Sequence, residues 1–167
     1  VSIAVWVPFN EGWGQFDAAK TAAWVREYDP TRTVDHASGW HDQGAGDLKS
    51  YPVYFHPYRY KKDRRGRAVV LSEFGGYNYR VGNHAWNDAD FGYKRSSSRE
   101  ELIRSYRRLY EEEILTARAR GLSAAGYTQL TDVEDELNGL LTYDREVMKI
   151  PEEILREING RVSGGIE

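Results

Sequence analysis

The sequence predicts an α/β fold, and three observations carry that prediction. Short apolar and β-branched runs alternate with helical segments, the arrangement of parallel β/α units. Two of the runs, Ile3 to Phe9 and Val69 to Leu71, each lead into one glutamate followed closely by glycine: Asn10-Glu11-Gly12 and Ser72-Glu73-Phe74-Gly75-Gly76. The polar residues of interest all lie just after a predicted strand. That is the habit of a (β/α) barrel, whose active site lies at the carboxyl ends of its strands. Five strands are predicted, too few to close an eight-stranded barrel. The expectation is therefore either part of a barrel or an open sheet.

Taken in order, residues 3–9 read as a buried strand. Gln15 to Tyr28 reads as a helix, with Ala18, Ala19, Ala22, Ala23 and Trp24 as its apolar surface. Asp29-Pro30-Thr31 stops it. Thr33 to Ala37 is a short second strand, and Ser38 to Gly46 a glycine-rich polar loop. Asp47 to Phe55 is the third strand. Lys61 to Arg67 is a basic run, read as a solvated connection. Residues 68–73 form the fourth strand. The long loop from Gly75 to Ser98 is rich in Gly, Asn, Tyr and Trp, which favours a functional loop over a disordered one. Ser98 to Arg120 is the clearest helix, with Ser98 as N-cap, Glu101 at the capping-box position and Gly121 as its stop. Leu102, Ile103, Tyr106, Leu109, Tyr110, Ile114 and Leu115 make its apolar stripe. Leu122 to Leu130 is the fifth strand, and an acidic loop follows from Thr131 to Glu136. Pro151 to Asn159 is a terminal helix with proline in its first turn, and 161–167 is expected to be a tail.

Composition narrows the function. The 167 residues carry a formal net charge of −3, which argues against a nucleic-acid binder with a basic face. No run of eighteen apolar residues predicts a membrane span. The absence of cysteine excludes thiolate chemistry and Cys-ligated metal. Five Trp and twelve Tyr fit either the filling of a core or the binding of flat ligands such as sugars. The chain opens at Val1 directly inside a strand pattern, which predicts a piece of something longer.

A glutamate at the end of a buried strand has no packing reason to be there, because burying a lone charge is expensive. Two strands, each delivering one such glutamate, point to a paired-carboxylate enzyme. Either glutamate taken alone also fits a helix cap or an ordinary salt bridge.

The motifs Phe9-Asn10-Glu11-Gly12-Trp13, Asp29-Pro30-Thr31-Arg32-Thr33-Val34 and Leu71-Ser72-Glu73-Phe74-Gly75-Gly76, in that order, resemble glycoside hydrolase family 2. This is the family of β-galactosidases, β-glucuronidases and β-mannosidases. The resemblance covers residues 1–160 and implies the carboxyl-terminal half of a TIM barrel, strands four to eight of the (β/α)8 fold. It implies that strands one to three and the upstream β-sandwich domains lie outside this chain. It also implies a retaining β-glycosidase that needs no organic cofactor; no cofactor and no metal-ligating residues are expected. Glu11 matches the general acid/base, Glu73 the nucleophile and Asn10 the residue that binds the sugar 2-hydroxyl. Retaining enzymes hold the two carboxyl groups about 5–5.5 Å apart.

Further candidates surround this pair. Tyr54 falls where the family carries a tyrosine near the nucleophile, with Tyr51 as a near competitor in register. His36, at the end of a strand, faces either the sugar or the core. Trp13, Trp40 and Trp86 lie in loops and either stack on sugar rings or pack those loops. Where the family often has a Trp at the end of the last strand, this chain reads Gly126-Tyr127-Thr128-Gln129-Leu130. Thr128 or Gln129 then lies near the floor of the site, and no particular sugar is implied. His41, Asp42 and Asp47 match no tight metal motif. Asp132, Glu134, Asp135 and Glu136 read as a solvated loop or as partners for Arg145 and Lys149. The expected partners are a carbohydrate substrate and either the missing amino-terminal part of the same protein or a second copy of the chain. The alternative function is a half barrel that binds sugar without turning it over.

Overall fold

The computed structural model describes residues 2–164. The elements run β1 (Val5–Trp6), α1 (Ala18–Tyr28), β2 (Thr33–Val34), β3 (Leu48–Val53), β4 (Ala68–Gly75), β5 (Tyr77–Asn78) and β6 (Lys94–Arg95). Then come α2 (Arg99–Arg108), a π-helical turn (Leu109–Ile114), α3 (Leu115–Ala119), β7 (Leu122–Thr128) and α4 (Glu152–Ser163). Three small sheets form: β1 with β2, β3-β4-β7 in that order, and β5 with β6. None of them closes among the described residues. The chain falls into two compact units. One comprises the chain up to Pro52, Tyr60–Glu73 and Gly121–Ala125; the other comprises Val53–Arg59, Phe74–Arg120 and the chain from Gly126.

In the first unit the predicted strand over 3–9 is only two residues long. It pairs in parallel with an equally short β2, Val5 against Thr33 and Trp6 against Val34. Pro8 brings no N–H to a ladder. Asp35 ends β2 by turning the chain, and its carboxylate accepts the backbone N–H of Ser38. Helix α1 begins at Ala18, not Gln15, because Asp17 adopts a left-handed conformation (φ 40°) and the Gln15 side chain instead donates to the His41 carbonyl at 2.7 Å. Its buried face is Ala18 and Ala22 alone. Trp24, expected on the apolar surface, is exposed and stacks on Tyr28. The predicted stop holds, with the Asp29 carboxylate accepting from Thr31 and from the Trp6 indole. Phe9, Val34, Ala37, Val69, Leu71 and Leu122 complete this core.

In the second unit the long helical stripe is buried at Leu102, Tyr106, Leu109, Tyr110 and Ile114. Ser98 caps α2 by accepting the Glu101 N–H at 3.1 Å. The Glu101 carboxylate reaches back one residue further than a capping box would, to the N–H and hydroxyl of Ser97. The predicted single helix is interrupted by the π-helical turn, and beside it Phe74, Tyr106, Tyr110 and Tyr127 pack as an aromatic cluster. Burial pushes the Tyr110 and Tyr127 hydroxyls far above their usual range. The long loop is braced rather than loose: the Asn78 amide donates to Asp90 and Phe91, and Arg80 donates to the carbonyls of Asn87 and Ala89. Lys149 and Asp132 form a fully buried ion pair at 2.6 Å. Helix α4 runs on to Ser163, beyond the expected end at Asn159 and into the predicted tail; residues 165–167 lie outside the described residues.

Candidate active site

Glu11 and Glu73 both belong to the first unit. Glu73 is the sixth residue of β4, close to its carboxyl end. Glu11 lies beyond β1 in a turn closed by the Trp13 N–H on the Asn10 carbonyl at 2.9 Å. The backbone of Glu11 is left-handed, with φ 54°. Such a conformation in a residue other than glycine persists only where its surroundings hold it, and here they do. The Glu11 N–H donates to the Ser38 carbonyl at 3.3 Å. Gly12, next in the chain, has φ 84°, and a Cβ there would lie 2.2 Å from the His41 ring.

Both side chains are half-buried. The Glu11 carboxyl is held above its usual pKa, first by burial and then by the negative charge of Glu73. The two carboxylates therefore share one electrostatic environment, although they are 62 positions apart in the sequence. A raised pKa suits a group that must donate a proton near neutral pH.

The other predicted residues of the first unit divide by exposure. Asn10 is exposed, as are Trp13 at 79% and Trp40 at 61%; these indole faces are open to a ligand. His36 is not, at 1% exposure. Its Nε2 accepts the Gln43 N–H at 3.0 Å and lies 3.1 Å from Asp42. Burial first, and then neighbouring charges of both signs, leave its pKa lowered. His36 thus shapes the 42–43 loop from inside the fold. Asp42 and Asp47, weighed as metal ligands, are occupied by cations of the chain: Asp42 by Arg67 and Lys49, Asp47 by Arg26.

Tyr54, Trp86 and Gln129 belong to the second unit. The Tyr54 hydroxyl lies 3.0 Å from the Thr128 hydroxyl. Its competitor Tyr51 carries the Lys49 ammonium over its ring at 5.0 Å. Residues two apart in a strand share a face, so the side chains of Lys49 and Tyr51 lie together, while Tyr54 falls just past the end of β3. Gln129 donates to Asn138 at 2.8 Å and to Glu136 at 3.2 Å. Trp86 is 57% exposed and leans on Tyr143, with ring centroids 5.0 Å apart.

Sequence reasoning missed Asp35. This buried carboxylate accepts from the N–H of Ser38 at 3.1 Å and from the Ser50 hydroxyl at 2.9 Å. It thereby positions the Ser38 carbonyl, which receives the Glu11 N–H. An Asp followed three residues later by Ser at the end of a strand was the available signal. The one group of three potential metal ligands among the described residues, His84, Asp144 and Glu146, belongs to the second unit, with ligand atoms within 4.8 Å of one another. No helix of the described residues is long and apolar enough to cross a membrane. Compared with known proteins, the chain matches no family model and no curated protein.

Proposed function

We propose that this chain carries the two catalytic carboxylates of a retaining β-glycoside hydrolase of the β-galactosidase and β-glucuronidase kind, within strands four to eight of a (β/α)8 barrel. The observation that carries this reading is the pairing itself. Glu73 near the carboxyl end of β4 and Glu11 in the turn beyond β1 share one unit, and the raised pKa of Glu11 traces in part to the charge of Glu73. In the mechanism, ionised Glu73 attacks the anomeric carbon while protonated Glu11 gives its proton to the leaving oxygen. The C–O bond to the aglycone breaks as the Glu73–glycosyl ester forms. Once Glu73 is esterified its charge is gone, so Glu11 ionises more readily and can take a proton from the attacking water. Asn10 is exposed beside Glu11 and is suited to a hydrogen bond with a sugar hydroxyl. Trp13 and Trp40 offer open aromatic faces to sugar C–H surfaces.

The test is covalent trapping. A 2-deoxy-2-fluoro aryl β-glycoside should add one glycosyl mass to the Glu73 peptide of the full chain. Glu73→Gln should abolish both labelling and turnover of aryl β-glycosides. Glu11→Ala should keep glycosylation by activated leaving groups and be rescued by azide. Full activity in Glu73→Gln, or a label on another residue, would sink the assignment.

The second reading is a sugar-binding half barrel that does not turn over. It is favoured by uncovered apolar edges: Ile3, Trp6 and Val7 are exposed beside the short β1, and Ser123 to Gly126 are exposed in β7. Either further chain of the same protein or a second copy would cover them. Gel filtration with light scattering checks this, and a well-behaved monomer counts against it.

A further inference from the structure

The basic run Lys61 to Arg67, expected to be a solvated connection, lines a hollow of about 380 Å³ in the first unit. Its floor is charge-balanced. The Arg67 guanidinium engages all five of its N–H donors. It takes Asp42 with two parallel bonds of 2.9 and 2.8 Å, the Ala45 carbonyl at 2.9 Å, and both oxygens of Asp63 at 3.1 and 3.2 Å. Lys49 also donates to Asp42 Oδ2, at 2.5 Å. Two carboxylates and two cations thus cancel, and hydrogen bonds to the cations keep both carboxyls well below their usual pKa. No acid remains for the rest of the lining.

That remainder is Lys61, Lys62, Arg64 and Arg65. Among the described residues Lys61, Lys62 and Arg64 make no ion pair, and Arg65 is engaged with a carbonyl, that of Gly44, at 2.6 Å. These four cations are not on a loose loop. The Asp63 carboxylate accepts the N–H groups of Arg65 and Arg67, and Gly66 turns the chain with φ 77°. The same carboxylate is anchored to Arg67 below. Gly44 turns the chain with φ 73° where the Arg65 guanidinium packs against it. Four like charges held by a pinned turn repel one another, and an anion relieves that repulsion.

We propose that this hollow binds a small ligand carrying two or more phosphate or sulfate groups. Its volume falls within the range of small-molecule sites, about 300–1,000 Å³. Arginine and lysine side chains together supply forked and point-charge donors for oxyanions. Lys49 covers the ring of Tyr51, so the site offers charge rather than an aromatic face. Arg67 stands six residues before Glu73, most of them in an extended strand. That is a path of about 20 Å, and neither Glu11 nor Glu73 lines the hollow, so the proposal does not depend on the glycosidase reading.

The experiment is calorimetric titration of the full chain with pyrophosphate and, separately, with a disulfated disaccharide, at about 0.05 M and about 0.5 M ionic strength. The expected result is one-site binding at low salt that weakens strongly at high salt. The triple variant Lys61→Gln/Lys62→Gln/Arg64→Gln changes exposed side chains without ion-pair partners and should melt like the parent. It should bind at least about tenfold more weakly, as loss of three charge-assisted contacts requires. Binding of pyrophosphate alone assigns a phosphorylated ligand, and binding of the disaccharide alone a sulfated one. Absence of heat with both probes at low salt, or equal affinity in the triple variant, overturns the proposal.

Discussion

Replacing Lys149 with Met isolates the energetics of the buried ion pair. Lys149 has no exposed surface, and the Asp132 side chain retains 2%. The ammonium donates to Asp132 Oδ1 at 2.6 Å and to the Leu137 carbonyl at 2.9 Å. Burial pushes the Asp132 pKa up and that of Lys149 down, while each partner opposes the shift of the other. In Lys149→Met the Leu137 carbonyl keeps the Tyr79 N–H at 3.0 Å. Asp132 keeps only the Gly139 N–H at 2.8 Å among its hydrogen bonds. The loss therefore concentrates on one uncompensated buried carboxylate, and about 3–5 kcal/mol of stability should go at pH 7. With a urea m-value of about 2 kcal/mol/M, the unfolding midpoint, read by tryptophan fluorescence, falls by about 2 M. Without its partner Asp132 has a folded pKa raised above the unfolded one. Protonation then favours the fold, so the deficit is full above the folded pKa and shrinks as pH falls through it. Adding Asp132→Asn removes the stranded charge and should restore most of the loss. A single-variant deficit under about 1 kcal/mol, or a double variant no better than the single, would refute the assignment of the energy to a stranded charge.

Two further predictions concern the carboxylate site. A ¹³C NMR titration should find the Glu11 carboxyl above its usual pKa, falling only part-way in Glu73→Gln, because burial is the larger cause and the Glu73 charge the smaller; a complete return to the ordinary value would reverse that order. Gly12→Ala sets a Cβ against the His41 ring in a left-handed residue. It should cost about 1–2 kcal/mol in thermal unfolding and alter the Glu11 titration, whereas an unchanged melt would mean that the turn is not required.

Within the sequence, what was readable depended on distance along the chain. The cap at Ser98, the stripe from Leu102 to Ile114, the stop at Asp29 and the strand that carries Glu73 are set by neighbours a few residues away. Periodicity and turn chemistry report such neighbours directly. The two glutamates were legible as a pair for the same reason, since each ends its own apolar run. The π-helical turn at Leu109–Ile114 left no local mark, because the residues of a π-helical turn are the ordinary helix formers on either side of it.

By itself, then, the amino-acid order determined the alternation of apolar runs with helices, the helix boundaries with a chemical stop, and the strand that carries Glu73; Glu11 follows its two-residue strand only after a further turn. Tertiary structure alone decided which polar residues are exposed and which are buried. His36 reads as a strand-end histidine, yet folding buries it against Gln43 and Asp42. Arg67 reads as one cation in a solvated run, yet it joins two carboxylates, one of them 25 positions earlier. Lys149 and Asp132 meet across 17 positions in a site without water-exposed surface. Charges are paired by where the folded chain brings them and by how little solvent is left there, and neither quantity is written in any local window of sequence.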